Sequence, residues 1–192
     1  MKGLRITGGR FKGRRIKTGW AGGPRHTSAK VREAVFDLAG PMEGRSVLDL
    51  FAGTGSFAIE ALSRDAASAV AVEKDRRAAS LLKENLLTLA LDKDCLVVNM
   101  EVRYAVPMLH GQGRRFDLIF ADPPYEMGWV SSTWELLEKH PLWRGGSMFL
   151  FEHSKREGPG ATPGDAYVVE SRRYGDTVLT VVRVLDRPAH AF

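Results

Sequence analysis

A short apolar run, Val47-Leu48, leads directly into Asp49-Leu50-Phe51-Ala52-Gly53-Thr54-Gly55, and a helical pattern opens at Ser56. A strand that ends in a glycine loop and turns straight into a helix is the first unit of a Rossmann-like α/β sheet. The rest of the chain repeats that alternation. Strands are expected at Ser46–Leu50, Ala69–Glu73, Cys95–Asn99 and Phe116–Ala121, and helices at Ser56–Arg64, Arg76–Leu89, Val102–Leu109 and Val130–Lys139. The strands are nearly continuous in apolar residues, as in a parallel sheet covered on both faces. A further strand at Ser147–Glu152 and a closing hairpin, Ala166–Tyr174 with Thr177–Leu185 around Gly175-Asp176, bring the expected count to seven. The reading is a seven-stranded, mostly parallel sheet with an antiparallel C-terminal hairpin.

The N-terminal part has a different character. Residues 1–32 carry ten Lys or Arg and no acid, while the remainder has 18 basic against 23 acidic residues. Charge concentrated in one arm is what a polyanion contact needs, because each neutralised phosphate releases counterions. Leu4–Thr7, Gly8-Gly9 and Phe11–Thr18 read as a basic β-hairpin. Ser28 is placed to cap a helix that runs to about Ala39, with Val31, Ala34, Val35 and Leu38 on one face. We expect an arm over residues 1–45 that recognises substrate and a cofactor-binding domain over 46–192, in one compact unit. Arg10, Lys12, Arg14, Arg15, Arg25, His26 and Arg32 are the candidate nucleic-acid contacts.

Gly53-x-Gly55-x-x-Ala58 also fits a dinucleotide fingerprint, with Glu73 18 residues past Gly55. Asp49 separates the alternatives. A carboxylate entering the loop repels a pyrophosphate and favours a cofactor that carries an ammonium and a sulfonium. S-adenosyl-L-methionine is therefore preferred over NAD. Glu73, ending the next strand, is suited to both ribose hydroxyls. Glu101 is suited to an adenine amino group, with the Val102 N–H directed at the ring. Asp49, Phe51, Ala52, Gly53, Thr54, Gly55, Glu73, Lys74, Glu101, Val102 and Thr27 form the expected cofactor set.

Asp122-Pro123-Pro124-Tyr125 follows the apolar run Phe116–Ala121. An exocyclic amine of a base is a poor nucleophile because its lone pair is delocalised into the ring. Asp122 and the Pro123 carbonyl can accept its two hydrogens, aim the lone pair, and offset the charge that develops. Two prolines fix φ and supply no competing donor, and Tyr125 can stack on the base. These four are the candidate catalytic residues. Trp129, Trp134 and Trp143 are expected to pack helices. The five histidines show no metal spacing, and no metal site is expected. One cysteine, Cys95, excludes an internal disulfide and reads as a buried strand residue. No apolar run approaches a membrane span, and no secretory signal is visible.

The chain resembles the RsmD family of ribosomal RNA methyltransferases over essentially its whole length. The likeness rests on Arg5-Ile6-x-Gly8-Gly9 with Gly13-Arg14, Arg25-x-Thr27 with Val31-Arg32-Glu33-Ala34-x-Phe36, the glycine loop, Glu73, and Asp122-Pro123-Pro124-Tyr125. His26 stands where the family usually has Pro, and Glu101 where it usually has Asp. The resemblance implies a class I methyltransferase fold and S-adenosyl-L-methionine-dependent methylation of a guanine exocyclic amine. The implied substrate is 16S rRNA in an assembling or assembled small subunit. We expect a cytoplasmic monomer with no membrane partner. Three other readings use some of the same residues: a DNA adenine methyltransferase, a protein-glutamine methyltransferase, and a non-catalytic assembly factor that binds RNA. The first usually adds a recognition domain, the second favours Asn at position 122, and the third needs neither the cofactor acids nor the tetrapeptide.

Overall fold

A computed structural model describes residues 3–19, 29–158 and 167–185. Arg25, His26, Thr27 and the Ser28 cap lie outside the described residues. The elements in chain order are β1 (Gly3–Arg5), β2 (Arg15–Lys17), α1 (Ala29–Ala39), β3 (Ser46–Asp49), α2 (Ser56–Ser63), β4 (Ser68–Val72), α3 (Arg76–Thr88), β5 (Cys95–Val98), α4 (Val102–Gly111), β6 (Leu118–Ala121), α5 (Trp129–Lys139), β7 (Met148–Ser154), β8 (Tyr167–Tyr174) and β9 (Thr177–Val184).

The main sheet has seven strands in the order β5-β4-β3-β6-β7-β9-β8, and only β9 runs against its neighbours. Chain order reverses between β3 and β6. Ligands bind in such sheets at the carboxyl ends of the strands beside that reversal. Asp49 lies opposite Phe120 in the β3–β6 ladder, so Asp122 follows two residues past its partner.

Period-two alternation divides the core. Val47, Leu118, Phe120 and Leu150 point to one face, packed with α1, α2 and α3. Leu48, Ile119, Phe149 and Phe151 point to the other, packed with α4 and α5. Aromatic stacks tie each side. Phe57 bridges Phe36 and Phe120 at 5.1 and 4.0 Å between centroids, and Trp134 meets Phe149 edge-on at 5.4 Å. Each buried ring contributes roughly 1.5–3 kcal/mol. Cys95 is buried at the start of β5, as its strand position suggested, and burial pushes its thiol up to about 12. Asp75 caps α3, its Oδ1 accepting from the Ala78 N–H at 2.8 Å. Among the described residues no helix is long and apolar enough to cross a membrane.

The arm differs from the expected hairpin. Only three residues pair on each side, and Phe11 to Arg14 form turns rather than strand. Gly8 and Gly9 are not the hairpin turn. They lie against the end of α2, where the Arg10 N–H donates to the Ser63 carbonyl at 2.7 Å and satisfies one of the helix's last carbonyls. A Cβ on Gly9, whose φ is +72°, would stand 1.8 Å from that carbonyl oxygen. The buried Glu60 carboxylate accepts from the Gly8 N–H at 2.6 Å, the Thr7 N–H at 2.9 Å and the Thr7 hydroxyl at 2.8 Å. Asn85 on α3 holds the other strand: its Oδ1 accepts from Lys17 N–H at 2.8 Å, and its Nδ2 donates to the Lys17 carbonyl at 2.9 Å.

Candidate active site

Asp49 closes β3 and is 1% exposed. Neither of its carboxylate oxygens has a hydrogen-bond partner among the described residues. Burial, then the neighbouring negative charge of Asp122, push it up to about 8; the N–H groups of Ala58 and Phe51, near but outside hydrogen-bond geometry, offset this only in part. A buried acid beside a second acid ionises more readily when a cation comes to it.

The glycine loop runs from Asp49 to the start of α2. Gly53 has φ +53° and open space where a Cβ would be, so backbone can approach a ligand there. Gly55, at φ +88°, begins α2, and a Cβ on it would meet Leu82 at 2.0 Å. Its role is close packing of the loop on α3. Asn85 Nδ2 also donates to the Thr54 carbonyl at 3.0 Å, joining the loop to the arm. Glu73 braces the loop from the next strand, its Oε2 accepting from Gly53 N–H and its Oε1 from Asp75 N–H, both at 2.7 Å. Each oxygen keeps a second lone pair for a hydroxyl.

A mainly apolar cleft continues from the loop. Phe51, Glu73, Lys74, Glu101, Val102 and Pro124 line it, as do Leu50, Val72, Met100 and Trp129. Glu101 is paired with Arg103 at 2.8 Å. Trp129 departs from the expected helix packing. It opens α5 and packs edge-on against Phe51 at 6.3 Å, with the Lys74 ammonium 5.9 Å from its ring, so it walls the cleft. Trp134 and Trp143 do pack the core. Met100 and Trp129 are residues that sequence reasoning missed, since nothing local marks them.

The tetrapeptide follows β6, on the other side of the strand reversal, and its Pro124 reaches into this cleft. Asp122 and Tyr125 are half-buried, Pro123 is buried and Pro124 is exposed. The Tyr125 hydroxyl donates to Glu152 Oε1 at 3.1 Å and lies 3.3 Å from the Thr177 hydroxyl, which anchors the ring. Burial pushes this phenol up to about 12, so it stays a neutral donor. Glu152, on β7, is a further residue that sequence reasoning missed.

Arg10, Lys12, Arg14 and Arg15 are exposed on the arm. The Arg10 and Arg14 guanidiniums flank Phe11 at 5.1 and 5.7 Å from the ring centre. Arg32 does not belong with them. It is 2% exposed, and its Nη2 donates to the Arg5 carbonyl at 2.8 Å, so it fastens α1 to β1 and is removed from the set of nucleic-acid contacts.

The family described as "Conserved hypothetical protein 95" matches residues 4–183. The chain is 32% identical over 184 residues to YlbH of Bacillus subtilis, a protein named only provisionally as an rRNA methyltransferase. That match covers 94% of this chain and 98% of YlbH. It is 35% identical over 155 residues to ribosomal RNA small subunit methyltransferase D of Escherichia coli, covering 80% and 76% of the two chains. A solved structure of a hypothetical protein from Thermus thermophilus superposes with a TM-score of 0.80 at 34% identity, over 94% of this chain and 99% of that one. With the strand order, the acid-ended glycine loop and the Asp-Pro-Pro-Tyr edge in place, the chain belongs to this family, that of the RsmD-type methyltransferases.

Proposed function

We propose that the protein transfers a methyl group from S-adenosylmethionine to the N2 amine of one guanosine in small-subunit ribosomal RNA. The observation that carries the reading is the buried Asp49 carboxylate, without a hydrogen-bond partner among the described residues and set beside Asp122 where the sheet reverses. The residues fit the cofactor. Asp49 would take its ammonium, Glu73 its ribose hydroxyls, and the Phe51–Met100–Trp129 cleft its adenine. When bound, S-adenosylmethionine supplies an electrophilic methyl group. Everything else is done by this chain. Asp122 and the Pro123 carbonyl accept the two amine hydrogens, and Asp122 offsets the positive charge that grows on nitrogen and takes the proton. Tyr125, held by Glu152, keeps the base in plane.

Asp49 makes cofactor binding depend on pH. Its folded value, about 8, lies above the ordinary 3.8. The ligand-free protein therefore holds this contribution to stability below about pH 4 and loses it as pH rises towards 8. An ammonium beside the group favours the charged form and reverses the shift. Binding of S-adenosylhomocysteine at pH 7 should release close to one proton, measured by calorimetry in buffers of different ionisation heat. The release should vanish above about pH 9 and in Asp49→Asn. Equal heats in all buffers at pH 7 would remove Asp49 from the cofactor site.

In this reading residues 1–45 recognise RNA and 46–192 carry out the chemistry, in a cytoplasmic monomer acting on the protein-containing subunit. Replacing Arg10, Lys12, Arg14 and Arg15 with Ala should weaken subunit binding and lower the slope of log affinity against log salt by roughly 3–4. Cofactor affinity should hold. An unchanged salt slope would make the arm a solvated surface. The assignment itself is tested by incubating the protein with labelled cofactor and hypomethylated subunits, bare rRNA or DNA, followed by nucleoside analysis. N2-methylguanosine from subunits is expected; methylated adenine in DNA as the sole product would overturn the substrate but not the cofactor.

A further inference from the structure

The loop after the tetrapeptide and the loop after β7 leave the sheet side by side, because β6 and β7 are parallel neighbours. Between them opens a cleft of about 520 Å³ lined by Glu126, Gly128, Val130, Ser131, Arg156 and Glu157. That volume suits a small flat ligand. Its walls are as much polar as apolar. Arg156 Nη1 meets Glu126 Oε1 at 3.3 Å, and the Ser131 hydroxyl donates to the Gly158 carbonyl at 3.2 Å. Glu126, immediately after Tyr125, holds a left-handed φ of +59°, a strained conformation for a side-chain-bearing residue. Both carboxylate oxygens of Glu157 are shielded from solvent and have no hydrogen-bond partner among the described residues. Such a group is costly until a donor reaches it.

We propose that Glu157 reads the base, accepting the guanine N1–H, while Arg156 donates to O6. The proposal rests on the guanine-N2 reading above and supplies what that reading lacks. Asp122 and the Pro123 carbonyl accept amine hydrogens, which adenine, cytosine and guanine all offer. They cannot choose among the three. The ring position beside the amine can. In guanine it is N1, which carries a hydrogen. In adenine (N1) and cytosine (N3) it is a bare lone pair, which a shielded carboxylate repels. The carbonyl on the far side of N1 then faces a cation, the pairing that makes arginine a common partner of guanine O6. Selection is both attractive and repulsive, as specificity generally requires.

The test uses 2-aminopurine, which keeps the amine at C2 but has a lone pair at N1 and no O6. Once nucleoside mapping has located the target, subunits are reconstituted with rRNA carrying guanine or 2-aminopurine there. Wild-type protein should prefer guanine in kcat/KM by about 100-fold or more. Glu157→Gln, whose amide can donate to a bare N1, should narrow that ratio by about tenfold or more. Glu157→Ala should fall between. A change in base preference is not something a merely structural residue would produce. An unchanged ratio in Glu157→Gln, or equal loss on both substrates in both variants, would overturn the proposal. If mapping instead finds a product other than N2-methylguanosine, it is the parent reading that fails, before any variant is made.

Discussion

Asp122→Ala should lower the single-turnover rate of methyl transfer by roughly 10²–10⁴-fold. In the proposed mechanism the substitution removes an acceptor that aims the amine and the negative charge that balances the developing cation. It does not touch the cleft where the adenine would lie, since Asp122 is not among the cleft residues. Asp122 is also the charge that most raises Asp49, so its loss eases ionisation of Asp49. Cofactor affinity at pH 7 should therefore hold within a few fold or tighten slightly. Asp122→Asn keeps a carbonyl acceptor without the charge and should lie between the two. Single-turnover rates and calorimetry on the same preparations separate the effects. Near wild-type turnover in Asp122→Ala would mean the amine is activated elsewhere.

Glu60→Ala should cost about 3–5 kcal/mol of stability. This carboxylate is 1% exposed and accepts from Thr7 and Gly8 on the arm and from Arg64 Nε at 3.1 Å. Alanine leaves two backbone N–H groups, the Thr7 hydroxyl and a guanidinium N–H without this acceptor. For a domain of this size the expected fall in Tm is roughly 6–20 °C. Glu60→Gln keeps an acceptor oxygen but brings an NH2 against donors, and should recover only part. Thermal unfolding followed by circular dichroism checks both. A Tm within about 2 °C of wild type in Glu60→Ala, well under the shift that a lost buried acceptor brings, would show that the arm does not depend on this contact.

The sheet was legible because burial on both faces leaves a mark in consecutive residues. Every expected strand of the main sheet formed, with small shifts at the ends. β6 begins at Leu118 rather than Phe116, because the Phe116 and Asp117 N–H groups bond to Leu142 and Ser46 carbonyls outside the ladder. The arm was less legible. Gly8-Gly9 looks locally like a hairpin turn, yet what requires the glycines is Ser63 and Arg64, more than fifty residues away. Arg32 counted as surface charge for the same reason. Its residue type says solvent, and the bond to the Arg5 carbonyl across the packed helix says otherwise. Trp129 became a cleft residue only once the topology set the start of α5 over the glycine loop. A motif's place in the fold reads from sequence when its residues are contiguous, as with Asp122 to Tyr125 at the end of β6. It is lost when a wall is assembled from several strand ends.

The single buried amide of Asn85 grips the main chain of β2 and the carbonyl of Thr54 together. With Glu60 and Ser63 holding the other half, the arm is not a cassette. Its seat is built from residues of α2 and α3 that, by linear order, belong to the other half of the protein. Grafting the basic arm of one relative onto the body of another would transplant charge without its socket. The smallest portable unit is the arm together with Glu60, Ser63, Arg64 and Asn85, and chimeras meant to exchange RNA preference between relatives need their junctions drawn around that set rather than at residue 45.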